Sequence, residues 1–207
     1  MIPETLQYFL LAFALGLTGA LVPGPTLVAT VNSSLSTGWL AGPKVTLGHM
    51  LSELILFILI FFGLAAVALP YTTAIAGIGG IALIGFGVLT ILGCRQATLS
   101  ASPGQIVANP CMAGFLTSVA NPYFWFWWLT IGSAMVITGL EGGVILAGVF
   151  MIGHWSADLG WYTVVSAAVS RGKSLLSDTL YRWIIAACGI FLVLFGIYYL
   201  LHMFWSL

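Results

Sequence analysis

The sequence predicts an all-α integral membrane protein of six transmembrane helices, built as two inverted three-helix repeats in which helices 1 and 4 are broken. Three observations carry this expectation. Of the 207 residues, 61% are hydrophobic and 5% charged, with mean hydropathy +1.14, whereas soluble domains carry about 25% charged residues. At about 20 apolar residues per crossing, the chain has room for about six spans joined by short loops. The polar and helix-breaking residues of the first half also return, in the same order, in the second.

Helix 1 is expected over residues 5–31 and contains Pro23-Gly24-Pro25. Each proline removes a backbone donor and clashes with the carbonyl one turn earlier, and in lipid that carbonyl finds no water. Such a break is tolerated where it faces protein or an aqueous cavity, and discontinuous helices are how many transporters build binding sites. Glu4 stands where a secretory signal would carry a cation, and no small-residue cleavage pattern follows, so this run is read as a membrane helix.

Helix 2 is expected over 45–69, ended by Pro70, and helix 3 over 73–94. The glycines of helix 3 would let helix backbones approach closely, and exposed glycine faces would permit a homodimer. Residues 95–109, rich in Ser, Pro and Gly, read as a linker. Helix 4 is expected over 110–137, with Asn121-Pro122 near its middle. The aromatic run Tyr123-Phe124-Trp125-Phe126-Trp127-Trp128 follows, read as a lipid-facing or interfacial belt together with Trp39, Trp155, Trp183 and Trp205. Tyr123, directly after the break, is the exception to watch. Helices 5 and 6 are expected over 143–169 and 181–204.

Lys44, Arg95, Arg171, Lys173 and Arg182 all fall in alternate loops, which places those loops in the cytoplasm and both termini outside the cell membrane, with Glu4 and Glu141. The domain organisation is then a first repeat at 1–94, a cytoplasmic linker at 95–109 and a second repeat at 110–207.

The repeat rests on three matches in order. Pro23 matches Pro122 at an offset of 99, Gly48-His49-x-x-x-Glu53 matches Gly153-His154-x-x-x-Asp158 at 105, and Gly80-Ile81-x-Leu83-x-x-Phe86-Gly87 matches Gly189-Ile190-x-Leu192-x-x-Phe195-Gly196 at 109. Three helices per repeat is odd, so the second copy enters from the opposite side, the arrangement used for alternating access.

A carboxylate at mid-bilayer costs about 2.5–3.5 kcal/mol on insertion scales, which marks Glu53 and Asp158 as functional candidates. His49, Ser52 and Glu53 share one face of helix 2, as His154 and Asp158 share one face of helix 5, continued by Trp161 and Tyr162. Low dielectric penalises the charged form of either group, which suits both to proton exchange near the working pH. The competing reading is that each histidine bonds its own carboxylate and fixes helix packing. At the breaks, Asn121 is a good cap and Pro122 a good first helical residue, and Thr26 is placed similarly after Pro25. The two half-helix starts would face each other and offer positive dipole ends to a substrate carboxylate.

Five Lys and Arg cannot form a phosphate-binding surface, which sets nucleic acid aside. Cys94, Cys111 and Cys188 form no CxxC pair and read as small buried hydrophobes. No HExxH or comparable enzymatic motif is present, and neither a cofactor nor a resident metal is indicated.

Pro23-Gly24-Pro25, then Gly38-x-x-x-Gly42-x5-Gly48, then Asn121-Pro122, resemble the LysE/RhtB translocators. Gly48-His49-x-x-x-Glu53 and the segment from His154-Trp155-x-x-Asp158 to Ser170-Arg171-Gly172 resemble archaeal members of that family. The resemblance covers nearly the whole chain and implies an exporter of amino acids or related small metabolites, driven by the proton gradient. The family pattern usually has Asn after Pro-Gly-Pro and Lys after Asn-Pro. Here Thr26 and Tyr123 hold those positions, so the resemblance does not carry over a basic substrate.

The expected function is proton-coupled export of a small amino acid or similar zwitterion. Substrate would bind at Pro23, Gly24, Pro25, Thr26, Asn121, Pro122 and Tyr123, and protons at His49, Glu53, His154 and Asp158. A divalent-metal or inorganic-ion exporter using the His/carboxylate pairs is the alternative, since i, i+4 is also metal-ligand spacing.

Overall fold

A computed structural model of the chain describes residues 3–64, 67, 71–96, 109–172 and 177–205. Every regular element among them is helical: α1 Glu4–Ala20, α2 Pro25–Thr37, α3 Ala41–Phe61, α4 Thr72–Cys94, α5 Pro110–Val119, α6 Pro122–Glu141, α7 Val144–Gly172 and α8 Asp178–Trp205. Among the described residues, five helices are long and apolar enough to cross a membrane by themselves, and six spans result if α1 and α2 together make one. The protein is an all-α integral membrane protein. Pro70, Lys173 and most of the expected linker, 97–108, lie outside the described residues.

Both breaks are real and are made by the expected residues. Pro25 opens α2 with Gly24 as its extended N-cap, and α1 and α2 meet at 80°. Helix 1 is thus two helices, not one kinked rod. At the second break Asn121 Oδ1 accepts from Tyr123 N at 3.1 Å, with Pro122 in the first turn. Asn109-Pro110 repeats the device at the start of α5, where Asn109 Oδ1 accepts from Cys111 N at 2.9 Å. The expected single span over 110–137 is corrected to a ten-residue α5 followed by α6, which alone has 20 residues and spanning length. A π-helical turn at Trp128–Gly132 interrupts α6.

Helix 2 also starts and ends earlier than expected, at Ala41 and Phe61. Gly38, with φ 81°, ends α2 in the left-handed region that glycine adopts without strain, so the chain re-enters a helix within three residues.

Glycine sets the closest helix contacts, in keeping with association in lipid. A Cβ at Gly48 on α3 would collide with the Cys111 carbonyl of α5, and one at Gly114 on α5 with the Val45 carbonyl of α3. On α7, a Cβ at Gly153 would lie 2.7 Å from the Phe9 carbonyl oxygen of α1. Between α4 and α8, Gly87 meets the Gly189 carbonyl at 2.6 Å and Gly80 the Gly196 carbonyl at 3.0 Å by the same construction, so these two helices run antiparallel. Gly79, Gly85 and Gly93 on α4 face nothing within 4 Å.

The polar face of α2 is satisfied within the helix. Thr30 Oγ1 donates to the Thr26 carbonyl at 2.8 Å and Ser34 Oγ to that of Thr30 at 2.5 Å, back-bonds that spend the hydroxyl protons locally. The described basic residues collect at one end. Lys44 near the start of α3, Arg95 after α4, Arg171 at the end of α7 and Arg182 near the start of α8 gather at one end, where Gly38 approaches Ser170 and Tyr181 OH bonds Asn32. Glu4 and Glu141 lie at the other, where Tyr8 OH donates to the Met135 carbonyl.

The aromatic belt is corrected. Tyr123, Phe124, Trp127 and Trp128 are buried and only Trp125 of that run is exposed. In a helix, positions 123, 124, 127 and 128 share one face, and α6 turns it toward α4 and the interior, packing with Leu83, Phe150 and Leu192. Trp39 and Trp183, at 52% and 69% exposure, do point outward as a belt would.

Candidate functional site

The two His/carboxylate pairs converge on one point between α3 and α7. Glu53 Oε1 lies 3.1 Å from His49 Nε2 on its own helix and 2.8 Å from His154 Nε2 on the other. Asp158 completes the group, with Oδ2 at 3.4 Å from His154 Nε2 and Oδ1 at 4.0 Å from His49 Nε2. Glu53, His154 and Asp158 are each no more than 3% exposed. The i, i+4 contacts are those the sequence face predicts. The shorter contact is the one between helices, so neither histidine is confined to its own carboxylate.

The close packing that creates this cluster is glycine's doing. Gly16 on α1 leaves the space that His154 Nδ1 faces, since a Cβ there would come within 2.9 Å of it. Gly48 and Gly114 let α3 and α5 touch, which brings Ser118 Oγ to 2.6 Å from His49 Nδ1. Trp128 Nε1 reaches Glu53 Oε1 at 3.3 Å, and the His154 ring lies 4.6 Å from that of Trp127 and 5.9 Å from that of Phe150. Ser118, Trp127 and Trp128 were not legible as site residues. Ser118 sits one turn before the Asn121-Pro122 break, and the tryptophans one turn after it, on the face that carries Tyr123 and Phe124.

A cavity joins this cluster to both breaks. It is lined by Gly24, Thr26, Asn121 and Tyr123 from the breaks and by His49, Glu53, His154, Asp158 and Tyr162 from α3 and α7. Thr26 is buried, as are Asn121 and Tyr123. Gly24 and Asn121 are neighbours, with the Asn121 Nδ2 3.5 Å from where a Gly24 Cβ would stand. Pro122, by contrast, lines a separate groove with Ile78, Gly79 and Trp125. Pro23 is half-buried, and Pro25 lines the second cavity described next.

The central cavity is about 40 Å³, room for a few waters when one needs about 10–15 Å³. A second cavity of about 320 Å³ begins at Gly24 and Pro25 and runs along Asn32, Thr90, Thr117 and Cys188 toward the basic end. That volume is ligand-sized. Phe124, Trp127 and Trp128 also line the central cavity.

Among the described residues, His49, Glu53 and Asp158 each offer a ligand atom, all within 4.8 Å of one another. Glu53 Oε2 and His154 Nδ1 are buried with no hydrogen-bond partner among the described residues. Buried polar atoms left so are costly, and the cavity they line is where a proton, cation or polar ligand group would relieve that cost.

Comparison with known proteins bears on this arrangement. A family model described as "LysE type translocator" matches residues 17–203. The chain is 25% identical over 199 residues to a Bacillus subtilis (strain 168) protein named "Putative amino acid efflux protein YcgF", covering 94% of this chain and 95% of that protein. No solved structure matches the chain.

Proposed function

The chain belongs to the LysE-type translocator family, and on that premise we propose that it exports a small amino acid or related zwitterionic metabolite from the cell in exchange for protons. One observation carries this reading: the two half-helix starts and the His/carboxylate cluster line the same cavity. Substrate carboxylate binds near the α2 start at Gly24–Thr26 and Asn121, where first-turn N–H groups are not all spent on caps. Glu53 and Asp158 take the protons and also compete for the substrate ammonium, with His49 and His154 moving protons between them.

The halves act as inverted repeats with 95–109 as cytoplasmic linker. Exchanging the matched positions turns the Gly87–Gly189 contact into Gly196–Gly80, and His154–Glu53 into His49–Asp158, and each of these pairs is in contact. With the basic end cytoplasmic and both termini outside the cell membrane, the larger cavity faces the cytoplasm and the aromatic residues close the outer side. The open glycine face of α4 is where a homodimer would form.

The test is a thermal-shift screen of amino acids against the purified protein, since a ligand of the folded state stabilises it by mass action. A neutral amino acid is expected to raise the melting temperature, and Asn121→Ala to abolish that shift. If no amino acid stabilises the wild type, the substrate assignment falls.

A second reading, export of a divalent cation, is favoured by the spacing of His49, Glu53 and Asp158. Stabilisation by a transition-metal ion, lost in His49→Gln and absent with amino acids, would favour it.

A further inference from the structure

The proton positions around His49 can be assigned from hydrogen-bond geometry, and they differ from those around His154. Ser118 Oγ lies 2.6 Å from the Gly114 carbonyl oxygen and 2.6 Å from His49 Nδ1. A hydroxyl has one proton and a carbonyl none. At that distance the Ser118 proton points to Gly114, so Ser118 Oγ accepts from His49 and Nδ1 carries a hydrogen. Neutral His49 would then present a bare lone pair at Nε2. Nε2 faces Glu53 Oε1 at 3.1 Å and Asp158 Oδ1 at 4.0 Å. Two acceptors do not face each other at such a distance in a buried site without a proton between them.

The remaining neighbours of His49 do not supply that proton. Phe124 on α6 meets its ring edge-on at 5.6 Å, Tyr162 on α7 does so at 6.2 Å, and Ser52 Oγ donates to the His49 carbonyl. His154 is held differently. Its Nε2 lies 2.8 Å from Glu53 Oε1, while its Nδ1 faces Gly16 with no partner among the described residues. The 99-residue offset that relates Pro122 to Pro23 puts Gly19 in the place of Ser118, so the lock exists on one side of the cluster only.

We infer that Ser118 is the positioning residue of the coupling proton: it fixes His49 with hydrogen on Nδ1, so that the His49–Glu53 contact holds a proton, while His154 donates to Glu53 from Nε2. This rests on the proton-coupled reading of the cluster. The proton enters as a proton and leaves as one, shared between His49 Nε2 and Glu53 Oε1, with no other bond made or broken.

The test is nitrogen NMR of the full-length protein in lipid nanodiscs with ring-labelled histidine. The chain has three histidines, and His49 and His154 are assigned by loss of their signals in His49→Gln and His154→Gln. The expected wild-type spectrum shows His49 with a protonated Nδ1 and His154 with a protonated Nε2. Ser118→Ala is expected to remove the fixed Nδ1 signature of His49 and lower gradient-driven transport about tenfold, and Ser118→Thr to restore both. A bare Nδ1 on wild-type His49, or an unchanged His49 signature in Ser118→Ala, overturns the inference. If the signatures are as expected yet a pH gradient does not accelerate transport by the wild type, the proton-coupled reading fails, and with it the coupling role, while the tautomer assignment stands.

Discussion

Glu53 on α3 and His154 on α7 share a 2.8 Å contact across 101 residues of sequence. It joins the two halves of the chain through two buried ionisable groups. Removing one partner of such a pair leaves the other uncompensated, which typically costs about 3–5 kcal/mol. Glu53→Ala is therefore expected to lower the melting temperature of the detergent-purified protein far more than Glu53→Gln, which keeps shape and hydrogen bonding. Equal melting temperatures for the two variants would show that the pairing does not hold the helices.

Glycine contacts make a paired prediction. A methyl at Gly48 has no room against the Cys111 carbonyl, whereas one at Gly79 meets nothing within 4 Å. Gly48→Ala is expected to force α3 from α5, lose the monodisperse peak in size-exclusion chromatography and displace Ser118 from His49. Gly79→Ala is expected to elute like wild type.

Trp128 is at once wall and hydrogen-bond donor, 1% exposed and 3.3 Å from Glu53 Oε1. Trp128→Ala opens a cavity beside the cluster, a change of about 3–5 kcal/mol for a large aromatic. If this face closes the outer path, proteoliposomes carrying the variant will lose a preloaded neutral amino acid without any gradient, and Trp128→Phe will leak less. Liposomes as tight as wild type with Trp128→Ala would place the closure elsewhere.

The orientation is checked by cysteine labelling in intact cells on a background with the three native cysteines replaced. Glu4→Cys is expected to react with an impermeant maleimide, and Arg95→Cys only after the cells are opened. The reverse pattern would invert the topology and turn the larger cavity outward.

Much of this was legible in the sequence. Pro25 and Asn121-Pro122 break helices wherever they stand, because their chemistry is local. The i, i+4 faces of His49–Glu53 and His154–Asp158 follow from helical geometry alone. What was not legible depends on which helix lies beside which. The Glu53–His154 contact and the Ser118–His49 bond each need two helices brought together by glycines whose partners sit far along the chain. The aromatic run departs from the expected belt for the same reason: Trp127 and Trp128 suit a lipid belt by composition, and only the rotation of α6 turns them inward.

The most direct measurement of the central claim is efflux from proteoliposomes preloaded with a stabilising amino acid, with and without an imposed pH gradient, for wild type, Glu53→Gln and Asp158→Asn. The expected result is that the gradient accelerates wild-type efflux and accelerates neither variant. The same acceleration in both variants as in wild type would contradict a proton-carrying role for the cluster.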